Sequence, residues 1–149
     1  MMMRFFMVLC LFTVAVLASP NNGSMDSLNV AGNGMLVQKY RLRIIAENIA
    51  NVSTHMTDRG EPYRKKYVVV VPDKEGVRAA GVMQSDAPFG QILDPSHVFA
   101  DANGILRTPN FELNDEMVTL SYANLLYEAN TTAFKTSRQM FQNTLELLK

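Results

Sequence analysis

The stretch LNVAGNGMLVQKYRLRIIAENIANV, residues 28–52, decides which fold the sequence predicts. Its apolar residues return at alternating steps of three and four, which is the heptad spacing of a helix that pairs with another helix. This first apolar row consists of Leu28, Ala31, Met35, Leu42, Ile45, Ile49 and Val52, with Gln38 in its one gap. A second row consists of Val30, Val37 and Ile44. The stretch therefore predicts a long amphipathic helix whose apolar surface is wider than a single stripe.

Two details of this helix depend on single residues. Asp26 or Ser27 is expected to cap its start, because short polar side chains accept hydrogen bonds from the free N–H groups there. Gly32 and Gly34 each cost about 1 kcal/mol relative to alanine inside a helix. We expect either the close approach of another backbone or an irregular start of the helix to account for these glycines.

Residues 115–148 predict a second long helix. A strict step of seven residues connects Leu120, Tyr127, Phe134, Phe141 and Leu148. One residue before four of these positions lies another apolar row, formed by Leu126, Ala133, Met140 and Leu147. Asn114 is expected to cap the start of this helix, and Asp115 and Glu116 suit the positive end of its dipole.

The segment between the two helices has the pattern of β-structure. Residues 63–71 and 77–84 predict two strands, residues 86–101 are loop-like, and Asn103-Gly104 is a hairpin signal. The predicted fold class is α+β, with two long terminal amphipathic helices that pair as an antiparallel coiled coil and a small β-rich insert between them. We expect residues 25–58 and 113–149 to form the two helices of a core domain, and residues 59–112 to form the insert.

Residues 1–24 form an apolar leader with two interpretations. An apolar run of about 13 residues follows Arg4, which is shorter than the roughly 20 that span a bilayer. Ala18 and Ser19 follow this run, as they would in a cleaved secretory signal. The alternative is a start assigned too far upstream, with Met25 as the first residue. Both interpretations leave residues 1–24 outside the predicted fold.

The composition argues against several classes of function. The 149 residues include 14 Lys and Arg and 14 Asp and Glu, and this zero net charge argues against a nucleic-acid binder. The single cysteine, Cys10, excludes an intrachain disulfide and a cysteine-based zinc site. His55 and His97 are far apart and have no patterned partner. We therefore predict no catalytic, cofactor-binding or metal-binding residues, no cofactor and no small-molecule substrate.

The two apolar rows on each helix create a packing problem. A lone pair of helices buries one row per helix and part of the next, and exposed apolar area costs on the order of 25 cal/mol per Å². The simplest partner is another copy or a paralogue, and a head-to-tail contact of this kind generates rings or tubes. The alternative is a monomer in which the β-insert folds back over the second row.

The end of the first helix resembles a family signature. Residues 44–54, IIAENIANVST, are similar to the N-terminal signature of bacterial flagellar rod and hook proteins, a helix that ends in Asn-apolar-Ala-Asn-x-x-Thr. Asn48 and Asn51 fall where side-chain amides satisfy free carbonyls or neighbouring chains. Further matches, over residues 25–149, resemble the proximal rod proteins of the FlgC type. They are Gly60-x-Pro62-Tyr63-Arg64, Asp94-Pro95-x-His97, Ala100-Asp101-x-x-Gly104, Pro109-Asn110, Glu116-Met117 and Tyr127-Glu128-Ala129-Asn130.

The chain departs from this family in three places. Val98 stands where the family usually has a proline, and Gly104-Ile105-Leu106 stands where it usually has Gly-Tyr-Val. Rod proteins also lack a cleaved signal, because the flagellar type III apparatus exports them. The resemblance therefore favours Met25 as the first residue.

The resemblance implies a non-enzymatic structural subunit of the bacterial flagellar basal body, located in the periplasmic rod. In this family, terminal helices of many subunits form a hollow shaft that transmits torque. The implied partners are copies of the chain, paralogous rod proteins of the FlgB, FlgF and FlgG types, and the adaptor between rod and membrane ring. The residues expected to pack between subunits are Val30, Val37, Ile44, Asn48, Asn51, Leu126, Tyr127, Asn130, Ala133, Met140 and Leu147.

The residues alone leave two other functions open. A secreted enzyme would need a polar cluster around a residue such as His97 or Asp101, and the sequence shows no such pattern. A secreted or periplasmic helical adaptor or chaperone without catalysis would use the heptad rows as its binding face. This adaptor would not need the β-insert, and it is the alternative to a rod subunit.

Overall fold

The computed structural model describes residues 23–148. Six elements follow one another: α1 (Gly23–Ala50), β1 (Lys66–Asp73), β2 (Gly76–Gln84), β3 (Gly90–Leu93), β4 (Ile105–Thr108) and α2 (Leu113–Glu146). The strands form two separate two-stranded antiparallel sheets, β1-β2 and β3-β4. The α+β class with long helices before and after a β-rich segment is confirmed. The predicted leader lies outside the described residues except for Gly23 and Ser24, which begin α1.

The helix starts differ from the predicted caps. Asp26 lies inside α1, whose described part extends back to Gly23. The N-cap of α2 is Glu112, whose side chain makes no capping hydrogen bond, and Asn114 lies inside the helix. The predicted caps at Asp26 or Ser27 and at Asn114 are therefore wrong. The end of α1 is capped by a side chain, since Nδ2 of Asn51 donates to the carbonyl oxygen of Glu47 at 2.8 Å.

The two helices lie side by side in opposite directions. Asn48 near the end of α1 contacts Glu116 near the start of α2, and Gly32 near the start of α1 faces Phe134. Gly34 fits closely against α2, because a Cβ there would lie 2.8 Å from Oδ1 of Asn130. The close approach expected at the glycines therefore occurs at Gly34, but the neighbour is a side chain and not a backbone.

The first hairpin covers the second apolar row of α1. Its register runs from Lys66 opposite Gln84 to the turn at Gly76, with an irregularity in the pairing between Val69 and Val70. A Cβ at Gly76 would lie 3.2 Å from Cγ1 of Val30, so the turn lies against the start of this row. The insert thus folds back over α1, as in the alternative interpretation of the sequence.

In the second sheet, β3 lies within the segment expected to be a loop, whereas β4 directly follows the predicted hairpin signal at Asn103-Gly104. Strand β3 pairs with β4 from Gly90 opposite Thr108 to Leu93 opposite Ile105. The long loop between these strands, residues 94–104, is closely packed at its end, since Gly104 has a φ of 77° and a Cβ there would lie 2.8 Å from Cγ of Pro95. Positive φ values favour glycine. Leu106 in β4 is the most deeply buried apolar residue of this sheet, with an exposed fraction of 2%.

Candidate functional site

The side-chain amide of Asn48 joins the helices and the first hairpin. Its Oδ1 accepts hydrogen bonds from the backbone N–H of Lys66 at 3.0 Å and from the hydroxyl of Tyr63 at 3.0 Å. Its Nδ2 donates to the carbonyl oxygen of Lys66 at 2.9 Å and to Oε2 of Glu116 at 2.9 Å. An asparagine amide has two acceptor sites and two donors, so this amide is fully satisfied. We call the surroundings of Asn48 the junction, formed by Glu47, Asn48, Tyr63, Lys65, Lys66 and Glu116.

The junction contains two ion pairs. The carboxylate of Glu116 is buried in the first turn of α2, and its Oε1 lies 2.6 Å from Nζ of Lys65. Nζ of Lys66 lies 2.5 Å from Oε1 of Glu47 on α1. A buried carboxylate needs both an opposite charge and hydrogen bonds, and Glu116 has Lys65 and Asn48 for these roles. The first turn of α2 is thereby tied to the end of α1 and to the start of β1.

The phenol of Tyr63 is held in its neutral form. Burial, and next to it the nearby carboxylates of Glu47 and Glu116, together raise the pKa of Tyr63 to about 12. A neutral phenol keeps the proton that it donates to Oδ1 of Asn48. The junction is therefore a structural hydrogen-bond network.

A pocket of about 190 Å³ opens beside the junction. Its apolar walls include Ile44, Ile45, Val68 and Ala123, and Arg41, Lys65, Tyr67 and Tyr122 also line it. Within residues 23–148, no group of three or more His, Cys, Asp or Glu side chains could hold a metal ion. In the same residues, no helix is long and apolar enough to cross a membrane.

The two histidines lie together despite their separation in the sequence. The ring centroids of His55 and His97 are 5.2 Å apart in an edge-to-face arrangement, and the ring of Phe99 lies 5.7 Å from that of His97. This contact connects the segment after α1 to the loop between β3 and β4. Sequence spacing contains no signal for it, because the contact depends on how the insert folds.

The face of α2 that is turned away from α1 is an uncharged and largely apolar stripe. We define this outer stripe as Val118, Tyr122, Leu125, Ala129, Ala133, Thr136, Met140, Asn143 and Leu147. These residues follow one another at steps of three and four, so they share one side of the helix, and all nine are exposed. Val118 is 71% exposed, Met140 62% and Leu147 87%. The sequence prediction included Ala133, Met140 and Leu147 but missed the other six members, which the same spacing connects to them.

The residues predicted for packing between subunits occupy two kinds of position. Val37, Ile44 and Asn48 are buried within the chain itself, which differs from the expectation of a surface shared with other subunits. The reason is that the hairpin covers their side of α1. Outside that group, Val30, Ala133, Met140 and Leu147 are exposed, and Asn51, Leu126, Tyr127 and Asn130 are half-buried.

Fold and geometry together define a class of protein. The junction fixes two long helices in one small α+β unit, and the outer stripe leaves an extended apolar face uncovered. Large exposed apolar surfaces on a folded chain are typical of contacts with other molecules. This combination is typical of a structural subunit.

Comparisons with known proteins give the family. The flagellar basal-body rod protein FlgC of Borreliella burgdorferi is 33% identical to this chain, over 85% of the chain and 99% of the relative. The FlgC protein of Salmonella typhimurium is 34% identical, over 83% and 96%. The FlgC protein of Agrobacterium fabrum is 37% identical, over 84% and 98%. No protein-family model matches the chain. The chain belongs to the FlgC family of flagellar basal-body rod proteins, and it is a structural subunit of the rod in the flagellar basal body.

Proposed function

We propose that this subunit assembles through the outer stripe of α2 with copies of itself and with paralogous rod proteins of the FlgB, FlgF and FlgG types. The assembly is a hollow periplasmic shaft that transmits torque, and it also contacts the adaptor between rod and membrane ring. The subunit has no catalytic role. The observation that carries this proposal is the exposure of all nine residues of the outer stripe.

The energetic argument rests on the outer stripe of α2. Val118, Tyr122, Leu125, Met140 and Leu147 are each more than half exposed. Covering such side chains contributes about 25 cal/mol per Å² of apolar area removed from water. No charged residue interrupts the outer stripe, so a second helix can lie along it without desolvating a charge. The outer stripe thus favours lateral packing of helices.

The helix pair itself supports the shape of the subunit. Leu120, Tyr127, Phe134 and Phe141 are half-buried at steps of seven along α2, as a helix facing α1 requires. We propose that α1 and α2 pair as an antiparallel coiled coil, with residues 25–58 and 113–149 as the core domain and residues 59–112 as its insert. A stiff helix pair fixed at the junction suits a part that transmits torque.

Several residues that the sequence predicted to pack between subunits are exposed or half-buried, and we include them in the proposed interface. Ala133, Met140 and Leu147 belong to the outer stripe, Leu126 lies at its margin, and Tyr127 and Asn130 lie towards α1. Val30 on α1 is exposed beside the turn of the first hairpin, and Asn51, which follows α1, is half-buried. Val37, Ile44 and Asn48 act within the subunit, where they hold the insert in place.

The test is a charge placed within the outer stripe. Met140→Asp puts a carboxylate into the proposed contact, whereas Gln142→Asp puts the same group at an exposed position outside the outer stripe. We expect both variants to keep the circular dichroism spectrum and urea midpoint of the natural chain. Only Met140→Asp should abolish rod assembly and motility when it replaces the natural protein in cells. Normal motility with Met140→Asp would contradict the proposal.

A further inference from the structure

We infer that the contact between His55 and His97 is a pH-sensitive latch within the subunit. We define the latch loop as residues 94–104, which connect β3 to β4. Near neutral pH the latch holds this loop against the segment that follows α1, and it opens when the imidazoles take up protons. The inference concerns the insert and does not depend on the outer stripe.

The second sheet is attached to the subunit by side chains and loops. Among the helices and strands of residues 23–148, no Cα atom of β3 or β4 lies within 8 Å of α1, α2, β1 or β2. At the end where β3 begins, Cζ of Arg64 lies 4.2 Å from the ring centroid of Phe89. At the other end, where the latch loop follows β3, the ring of His97 lies against that of His55. The histidine contact therefore fastens the end of the sheet that carries the latch loop.

Both imidazoles fit this contact in their neutral form. The backbone N–H of Phe99 donates to Nδ1 of His97 at 3.2 Å, and a nitrogen that accepts this bond carries no proton. Nδ1 of His55 is buried and has no hydrogen-bond partner within the described residues. An imidazolium has two N–H donors and no acceptor. Protonation therefore breaks the bond to His97 and leaves a buried, unpaired donor on His55.

A further cost arises when both rings are charged. Their centroids are 5.2 Å apart in an edge-to-face arrangement. This distance is shorter than the Debye length of about 8 Å at physiological ionic strength, so dissolved salt screens the repulsion only in part. Like charges this close disfavour the doubly protonated form. Opening of the latch separates the two rings and removes this repulsion.

The other charged side chains at the latch come from the two segments that meet there. Residues 51–62 and the latch loop contribute Asp58, Arg59, Glu61, Asp94 and Asp101. A hydrogen bond from the hydroxyl of Ser96, and with it the charge of His97, lowers the pKa of Asp94. Asp94 is therefore ionised near neutral pH and attracts the imidazolium of His97. Because both residues belong to the latch loop, this attraction persists when the loop leaves His55.

The direction of the pH dependence follows from these contacts. A histidine in a freed segment takes up its proton near pH 6.5. The closed latch binds fewer protons than the open form, so it is favoured above about pH 6.5 and is lost as the pH falls below this value. Each histidine that stays neutral in the closed latch can raise the opening constant up to about tenfold between pH 7.5 and 5.5. The two histidines together can raise it up to about 100-fold.

Hydrogen–deuterium exchange of the full chain tests the latch. Exchange of the latch loop is measured at pH 7.5 and 5.5, and each rate is divided by the rate of the same sequence without structure at that pH. The opening constant of the loop should be at least about tenfold larger at pH 5.5. Residues 66–84 of the first hairpin contain no histidine and are the internal reference, which should change less than about twofold.

Phenylalanine variants are the matched controls. His55→Phe and His97→Phe each keep an aromatic ring in the contact and remove one site for a proton. Each single variant should show a smaller rise than the natural chain, and the double variant should show none. If circular dichroism at pH 7.5 shows that a phenylalanine variant does not fold, glutamine replaces the same histidine, since its side chain is neutral at both pH values.

Two results would overturn the inference. A rise of less than about tenfold in the natural chain would show that the closed latch does not exclude protons. A rise in the double variant within about twofold of that in the natural chain would show that groups other than the histidines open the loop.

Discussion

The two long helices of this subunit have opposite surroundings. Among the residues whose burial the structure describes, seven of α1 are buried, whereas α2 buries two, Glu116 and Ala123. Helix α1 lies between α2 on one side and the first hairpin on the other, so Val37 and Ile44 of its second row are buried within the chain, although Val30 at the start of that row is exposed. Helix α2 contacts α1 on one side only, and its other side is the exposed outer stripe.

Both helices have a second apolar row in the sequence, but these two rows have different roles in the structure. The second row of α1 packs within the subunit, whereas the outer stripe of α2 is exposed and is the surface that we propose contacts other subunits. The outward residues of α1 include Lys39 and Arg43, which are exposed, while the outer stripe has no charge. A folded chain therefore has one helix that fixes its own structure and one that offers an apolar contact.

The largest expected effect compares a carboxylate on the two helices. Val37 is 2% exposed beneath the hairpin, so Val37→Asp buries an unpaired charge and should lower the free energy of unfolding by at least about 4 kcal/mol. Met140→Asp, at a 62% exposed position, should change it by less than about 0.5 kcal/mol. Urea denaturation of the two purified variants measures both values. Similar losses of stability would show that the two positions are equally buried, which would contradict the difference between α1 and α2.

A smaller effect is expected at the junction. Asn48→Leu keeps the approximate size of the side chain but removes the hydrogen bonds of the amide to Oε2 of Glu116, to the hydroxyl of Tyr63 and to the backbone of Lys66. We expect a loss of about 3 kcal/mol in the free energy of unfolding. Asn124→Leu is the matched control on α2, because Asn124 is exposed, and it should change stability by less than about 0.5 kcal/mol. Equal urea midpoints for the two variants would mean that the Asn48 network contributes nothing to stability.

The sequence predicted the elements of this fold better than their contacts. Heptad spacing indicates both helices, because the period of apolar residues depends only on local geometry. The strands of the first hairpin follow from their Tyr and Val content, although β1 begins at Lys66 and includes Pro72. Strand β3 was missed because its four residues lie between a proline-containing loop and another loop, with no alternating pattern of their own.

The tasks of the two second rows could not be distinguished by pattern. Val37 on α1 and Met140 on α2 both belong to such rows. Which of the two is buried depends on which helix the insert packs against. The family signature pointed to Asn48. The four hydrogen bonds of the Asn48 amide, however, reach residues up to 68 positions away in the chain. Local pattern contains no information about such distances. The outer stripe of α2, by contrast, is visible in the sequence once a spacing of three and four is followed from Val118.

The smallest expected effect tests how closely the helices approach. Gly32 and Gly34 are neighbours on α1, but a Cβ at Gly32 would lie 3.9 Å from Phe134 Cε2, whereas at Gly34 it would lie 2.8 Å from Asn130 Oδ1. Gly32→Ala should therefore raise the free energy of unfolding by about 0.5–1 kcal/mol through helix propensity. Gly34→Ala should lose this gain, because the amide of Asn130 has to move.

A double-mutant cycle isolates that contact. The combination of Gly34→Ala with Asn130→Ala removes the amide that the new methyl group meets, so the two changes should be more favourable together than their separate effects predict, by about 1 kcal/mol. Gly32→Ala with Asn130→Ala is the matched cycle and should be additive, since no atom of Asn130 lies among the neighbours of a Cβ at Gly32. Thermal or urea denaturation gives both cycles. If Gly34→Ala stabilises the chain as much as Gly32→Ala does, the helices are further apart at Asn130 than the contact distances indicate, and α2 is held to α1 chiefly at the junction.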